Sequence, residues 1–388
     1  GTVSWNALMA GYSQHGLGEE ILKCFKEMKE EGVTPDPVTY VFILKACGIV
    51  GCLDIGKNID TEVRKQGLLQ KDIVLGTTLL DMYAKCGVLD KAREVFEGLP
   101  VRDVVSWNAL ISGYDRHGLG EEALKCFRQM QDEGIRPNAV TYICILKACG
   151  IVGCLTTGKE IDTEFRKQRV LRNNILLGTT LVDMYTKCGS MEKAREVFDQ
   201  LPMQNIVTWN VLIAGYIRYD FALEALKCYD RMEVDGISPD AYTFAFVLKA
   251  CGTMGYLTKG QEVHAHSQKN RTMEKNVVVG NALMDMYVKC DALAKAKEVF
   301  FELRTPNVVS WNCLVTGYTQ HGNEREAVEY CFHQMQQESF IPDKITCICI
   351  LKACGSIKAL GQGKEIHIKV VEEGLLNEDV FVGNALVD

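Results

Sequence analysis

Thiols, imidazoles and carboxylates are the groups in this chain that could hold a metal or move a proton, and none stands at the spacing such chemistry needs. The 17 cysteines include no two that stand three apart, so no C-x-x-C offers two corners of a tetrahedral zinc site. The candidate pairs, Cys47 with Cys52 and Cys149 with Cys154, lose their second member where the segment recurs, at Tyr256 and Ala359. His264 and His266 alternate as H-A-H without carboxylates at ligand spacing. With His15, His117 and His321, which fall in predicted turns, they are expected to be polar turn and surface residues. Paired carboxylates such as Glu19-Glu20 and Glu121-Glu122 open predicted helices, where their charge complements the positive end of the helix dipole. The residues thus predict no catalytic constellation, no metal and no cofactor, and a chain that is not an enzyme.

What recurs at fixed spacing is an amide. The pair Trp5-Asn6 returns at Trp107-Asn108, Trp209-Asn210 and Trp311-Asn312, a step of 102 residues. The surrounding residues keep the same step: GYSQHG from Gly11 is answered by GYDRHG from Gly113, GYIRYD from Gly215 and GYTQHG from Gly317. LKAC begins at Leu44, Leu146, Leu248 and then Leu351, a last step of 103 that places one inserted residue between Ala327 and Phe332. Self-similarity of this kind is the mark of a repeat array.

Each period divides at junctions ending in proline or Asn/Asp into three subunits, Thr2 to Asp36, Pro37 to Asp72 and Ile73 to Asp103, of 35, 36 and 31 residues. Each reads as two helices, the second carrying apolar residues at spacings of four and three, such as Ile21, Phe25 and Met28. Gly16 to Gly18 supplies the turn between them, and Gly32 with Pro35 closes the subunit. A lone hairpin of this size cannot bury its apolar face, so neighbours must stack, and the fold expected is all-α, an α-solenoid with a long concave surface. No linker or domain boundary interrupts the pattern.

Composition narrows the function further. Hydrophobic residues make up 47% of the 388 residues, enough for a core. No apolar run approaches the roughly 18 residues of a membrane span. The chain opens inside a repeat at Gly1, as a piece of a longer protein would. The cysteines recur at helix-patterned positions such as Cys24, Cys126 and Cys228, which fits small reduced core residues better than a disulfide framework. With 43 Lys and Arg against 50 Asp and Glu, the formal charge of −7 argues against gripping a polyanion by bulk electrostatics. Any nucleic-acid binding must rest on local sites.

The local residues select among helical-repeat classes. VVSWNALISGYDRHGLGEEALKCFRQMQDEGIRPN (Val104 to Asn138), AVTYICILKACGIVGCLTTGKEID (from Ala139) and LLGTTLVDMYTKCGSMEKAREVFDQLP (from Leu176) resemble the P, L and S motifs of plant pentatricopeptide repeat proteins. The order 35, 36, 31 resembles the PLS subclass. The resemblance divides the chain into P, L and S motifs at 2–36, 37–72 and 73–103, at 104–138, 139–174 and 175–205, at 206–240, 241–276 and 277–307, and at 308–343, 344–379 and a cut 380–388. It implies a right-handed superhelix that binds single-stranded RNA, one motif per base with the N-terminal motif toward the 5′ end. It further implies a plastid or mitochondrial setting and, for this subclass, a part in C-to-U editing. Organellar editing accessory proteins, or a deaminase acting in trans, are then possible partners. The H-x-E and P-C-x-x-C signature of a zinc deaminase is absent from these residues.

In the family the fifth and final residues of each motif together contact one base. Carried over, the pairs are Asn6 with Asp36, Thr77 with Asp103, Asn108 with Asn138, Thr179 with Asn205, Asn210 with Asp240, Asn281 with Asn307 and Asn312 with Asp343; Asn384 lacks its closing partner. The family code assigns uracil to Asn/Asp, cytosine to Asn/Asn, guanine to Thr/Asp and adenine to Thr/Asn. The implied target is 5′-U-x-G-C-x-A-U-x-C-U-x-Y. The L motifs depart from the pattern, with Val41, Ile143, Ala245 and Ile348 fifth and Asp72, Asn174, Asn276 and Asp379 last, and their bases stay open.

The second residues are apolar or aromatic throughout: Val3, Val38, Val74, Val105, Val140, Leu176, Val207, Tyr242, Val278, Val309, Ile345 and Phe381. In the family they sandwich the bases; taken alone, they could equally open a helix for packing. Lys45, Lys147, Lys249 and Lys352 in LKAC, with Lys85, Lys187 and Lys289 in the S motifs, form either a phosphate-facing stripe or a solvated helix face. Two other functions share this architecture. One is RNA stabilisation or processing by the same code. The other is a protein-binding scaffold of the tetratricopeptide kind, against which the fixed Asn/Thr and Asp/Asn pairs argue.

Overall fold

A computed structural model describes residues 1–168, 174–272, 276–372 and 380–387. Among them every regular element is helical. The chain forms two compact units, Gly1–Met203 and Gln204–Asp388.

The first unit holds α1 (Thr2–Gln14), α2 (Gly18–Glu30), α3 (Pro37–Val50), α4 (Leu53–Lys65), α5 (Ile73–Lys85), α6 (Leu89–Glu97), α7 (Val104–Arg116), α8 (Gly120–Asp132), α9 (Ala139–Val152), α10 (Leu155–Gln168), α11 (Ile175–Lys187) and α12 (Met191–Gln200). Odd-numbered helices pack against one another in sequence, α1 to α3, α3 to α5, and on to α11, and each even-numbered helix covers its own partner. Hairpins therefore stack side by side, as in an α-solenoid. The odd helices are buried between neighbours and carry the largest core residues, among them Trp107, Tyr83 and Tyr185. The Trp107 ring meets Phe96 edge to face at 4.4 Å, which ties one hairpin to the next.

The second unit repeats the plan with α13 (Ile206–Arg218), α14 (Ala222–Val234), α15 (Ala241–Met254), α16 (Leu257–Lys269), α17 (Val277–Lys289), α18 (Leu293–Glu302) and α19 (Val308–Gln320). The next helix, α20, runs as Glu324–Glu326, a π-helical turn Ala327–Phe332 and His333–Gln337. The residue that lengthens the last repeat step falls in that turn. A π turn takes up the extra residue without rotating the apolar face of the rest of the helix away from the core. Ala327, Val328, Cys331, Phe332 and Met335 all remain buried. Then follow α21 (Lys344–Ile357), α22 (Leu360–Glu372) and α23 (Val380–Val387).

Polar ties between hairpins are repeated as well. Tyr83 donates to Asp60 at 2.8 Å, and Arg64 bridges Asp60 at 2.6 Å and Glu94 at 3.4 Å. Tyr185, Asp162, Arg166 and Glu196 copy that arrangement. In the second unit His264 takes the aspartate's place, its Nδ1 lying 2.9 Å from the Tyr287 hydroxyl. His264 is thus a half-buried interhelix residue rather than the surface residue expected of H-A-H, because a packed tyrosine hydroxyl needs a partner. His117 likewise reaches back to the Ala84 carbonyl at 3.0 Å, and His321 to the Val288 carbonyl at 3.2 Å.

Close helix approach depends on absent side chains. A Cβ at Gly120 would lie 2.6 Å from Val152 Cγ2 and 3.0 Å from the Ala148 carbonyl oxygen, so α8 seats on α9 only with glycine there. Gly120→Ala is expected to lower stability by about 1–3 kcal/mol through overpacking. Thermal unfolding followed by circular dichroism checks this, and an unchanged melting temperature would contradict it.

Candidate nucleic-acid interface

The residues at the unit junctions begin as helix caps. Asp36 accepts the Thr39 backbone N–H at 2.8 Å, and the Thr39 hydroxyl accepts the Asp36 N–H at 3.2 Å, so the two groups cap each other at the start of α3. Asp103, Asn138, Asp240, Asn307 and Asp343 make the same reciprocal cap with Ser106, Thr141, Thr243, Ser310 and Thr346. Asn205 caps α13 through the Thr208 N–H. Asp72, Asn174 and Asn276 accept an N–H of the following helix too. The side-chain oxygen satisfies amides that the helix leaves unpaired.

The fifth residue of the preceding unit meets that cap from across the hairpin. The Asn6 amide donates to both Asp36 carboxylate oxygens, at 3.0 and 3.1 Å. Asn108 donates to Asn138 at 3.0 Å, Asn210 to Asp240 at 3.1 Å, Asn281 to Asn307 at 3.2 Å, and Asn312 to Asp343 at 3.0 and 2.9 Å. Five of the sequence-paired positions are therefore in direct contact. Thr77 and Asp103 make no direct bond and face one groove together. Thr179 is buried in the first unit, and Asn205 is exposed in the second. Asn384 is exposed, and Asp379 lies outside the described residues. Val41, Ile143, Ala245 and Ile348 are half-buried and, being apolar, bring no polar side-chain atom to the cap.

Every second residue is exposed. Val3, Val38, Val74, Val105, Val140, Leu176, Val207, Tyr242, Val278, Val309, Ile345 and Phe381 all keep half or more of their surface in solvent. In the first unit Val74, Val105 and Val140 line a groove of about 580 Å³ together with Thr77, Asp103, Asn108, Asn138 and Lys45. Apolar walls, paired hydrogen-bonding groups and one cation thus share a single surface.

The lysines divide into two sets. Lys85, Lys187 and Lys289 each pair with an aspartate one turn earlier, Asp81, Asp183 and Asp285, at 2.7 Å. Their stems lie over Gly48, Gly150 and Gly252 of the preceding odd-numbered helix. Lys45, Lys147, Lys249 and Lys352 are exposed and make no ion pair among the described residues. Burial pushes the Asp115 carboxyl above its ordinary range, against the pull of Lys147 and Lys187. Positive charge on this face is therefore concentrated on the LKAC lysines.

The hydroxyls of Thr39, Thr141, Thr243, Ser310 and Thr346 stand at neither the fifth nor the final position of a unit, yet each touches a fifth-residue asparagine. Their signal is a Ser or Thr three residues after each junction. The thiols do different work: burial pushes Cys47, Cys149 and Cys251 up to about 12, which keeps them protonated. Among the described residues no group of three or more His, Cys, Asp or Glu could hold a metal ion, and no helix is long and apolar enough to cross a membrane.

Known proteins share both the sequence and the fold. The PPR repeat family model matches residues 1–48, 102–150, 204–253 and 306–356, and a second PPR repeat model matches 77–104, 179–206 and 281–307. A chloroplastic pentatricopeptide repeat-containing protein of Arabidopsis thaliana is 36% identical over 356 residues, covering 92% of this chain and 57% of the relative. A mitochondrial one from the same plant is 32% identical over 385 residues, covering 99% and 37%. The chain spans about half the length of the curated relatives it matches. Among solved structures, the pentatricopeptide repeat protein PPR10 in complex with an 18-nucleotide psaJ RNA element aligns with a TM-score of 0.75 at 21% identity, over 96% of this chain and 56% of that one. PPR10 from maize aligns with a TM-score of 0.67 at 20% identity, over 99% and 60%. The likeness is one of fold.

Burial raises the Asp36 carboxyl, but hydrogen bonds from the Thr39 N–H, the Asn6 amide and the Thr39 hydroxyl outweigh it and hold it below its ordinary value. A carboxyl whose folded pKa is depressed contributes stability that is present above its unfolded pKa, about 3.9, and is lost as pH falls through the folded value. Asp36→Asn keeps the cap and removes the titration. Denaturant unfolding at pH 6 and pH 3 is expected to show a smaller acid-induced loss in the variant, and equal losses would refute this assignment.

Proposed function

The chain belongs to the pentatricopeptide repeat family, and from that premise we propose that it binds single-stranded RNA sequence-specifically, reading one base per P or S motif. The observation that carries this is the row of exposed apolar second residues beside the amide and cap pairs. An exposed apolar or aromatic side chain at the start of every first helix wastes apolar surface unless something flat covers it, and a base offers such a face.

The hydrogen-bonding groups left over support the base assignments. In the Asn210/Asp240 pair one amide N–H and one carboxylate oxygen are already used within the protein. What remains is one donor and one acceptor, which suits the O4 and N3–H of uracil. In the Asn108/Asn138 pair the cap oxygen is likewise consumed, and its NH₂ remains. Two donors suit the N3 and O2 acceptors of cytosine. The shorter Thr77 leaves more room above Asp103, as a purine needs. The expected target is 5′-U-x-G-C-x-A-U-x-C-U-x-Y.

We further propose that the chain is of the PLS type and acts in a plastid or mitochondrion as the recognition part of a C-to-U editing factor. Chemistry would then come from a deaminase elsewhere in the protein or in trans.

Two experiments test the reading. Fluorescence anisotropy at fixed salt is expected to give tight binding to the matched RNA and weak binding to a scrambled one; equal affinities sink it. Asp240→Asn retains a good cap and is expected to switch the preference at the seventh base from uracil to cytosine by roughly tenfold. Separately, Lys249→Ala is expected to weaken binding to matched and scrambled RNA alike and to reduce the salt slope by about 1. Lys289→Ala, whose charge is already paired, is expected to change the slope less, and identical slopes for the two variants would reject the division of the lysines.

A further inference from the structure

We infer that each asparagine reader is completed by the unit that follows it: the Ser or Thr hydroxyl three residues past the junction is a positioning residue that fixes which way the reading amide points. This rests on the RNA-reading proposal above and adds a residue to it.

The orientation follows from a chain of forced donors. Two or more groups already compete for the cap side-chain oxygen, beginning with the backbone N–H of the next helix, as where Thr243 N–H donates to Asp240 Oδ1 at 2.9 Å. That oxygen can only accept, so Asn210 must turn its NH₂ toward it, at 3.1 Å. The amide oxygen then faces the opposite way and meets the Thr243 hydroxyl at 2.7 Å. The hydroxyl already receives the Asp240 N–H at 3.2 Å, and of the two acceptors within reach of its one proton the Asn210 oxygen at 2.7 Å is nearer than Asp240 Oδ1 at 3.0 Å. The same short contact recurs at Thr39 to Asn6 (2.7 Å), Thr141 to Asn108 (2.6 Å), Ser310 to Asn281 (2.6 Å) and Thr346 to Asn312 (2.5 Å).

Without the hydroxyl only the bond to the cap holds the amide, and Asn210 is free to rotate its oxygen toward a donor on the base. The reader would then present either a donor or an acceptor, and uracil and cytosine, whose edges differ in that respect, would be told apart poorly. The Thr77 motif supplies a contrast. There the next unit's Ser106 hydroxyl turns back to the Asp103 carbonyl at 2.9 Å, and no bond links it to Thr77. The lock accompanies asparagine and is missing at this threonine reader.

The test uses the whole chain and pairs of RNAs that differ only at one base. Wild-type protein should favour uracil over cytosine at the seventh base by roughly tenfold. Thr243→Val should reduce that ratio to below about threefold, chiefly by gaining affinity for the cytosine RNA, and Thr243→Ser should restore it. Ser106→Ala removes an equivalent cap hydroxyl and should leave the guanine preference at the third base intact. Melting curves run in parallel report whether each variant folds. A Thr243→Val chain that keeps its ratio, or that loses affinity equally for both RNAs while Thr243→Ser does the same, overturns the positioning role. A wild-type chain with no preference at that base overturns the RNA reading itself, and this inference with it.

Discussion

The cap at the start of each first helix is the interaction on which the rest of the structure depends. An Asp or Asn oxygen takes up amides that the helix leaves unpaired, and by doing so it ends one unit and begins the next. Because the cap residue is held by backbone, its remaining polar atom points in a set direction. The fifth residue of the preceding unit then orients against it. One side chain therefore supports helix formation and faces the surface where recognition is proposed, which explains why only Asp and Asn occupy it here. A helix cap restricts the choice to a few types, and a base edge can exploit the difference between an acceptor and a donor within that choice.

Stacking settles where every other apolar group goes. Odd-numbered helices lie between neighbours, so Trp107, Trp209 and Trp311 are fully enclosed. The next residue, Asn108, Asn210 or Asn312, is about 100° further round the helix and reaches the cap. Residue two of each unit lies in the first turn, where half or more of its surface stays in solvent. The one lengthened repeat shows how strongly this layering is enforced: α20 adopts a π turn rather than rotate its buried face outward.

Much of this was legible in the residues. The recurring Trp-Asn pair, the glycine turns and the spacing of Ile21, Phe25 and Met28 specify helical hairpins and their lengths. The position of the extra residue near Ala327 was legible as well, but not its form as a π turn. His264 was read as a surface residue because nothing nearby in sequence marks the Tyr287 hydroxyl it meets. The two sets of lysines looked alike for a similar reason. Asp81 stands four residues before Lys85, a spacing visible in the chain, whereas the seat of its stem over Gly48 belongs to a different hairpin.

The sequence by itself determined the repeat, its helical character and the kinds of residue at each junction, because periodicity, capping and turn chemistry are local properties carried by neighbours within a few positions. Only the tertiary structure decided that Asn6 meets Asp36 and Thr39, that the second residues remain exposed and that the LKAC lysines make no ion pair among the described residues. Those facts join groups about 30 residues apart, and such groups meet only after one hairpin has packed against the next. The physical reason is that a hydroxyl or an amide has no fixed partner until packing removes water and leaves it a single acceptor or donor within reach.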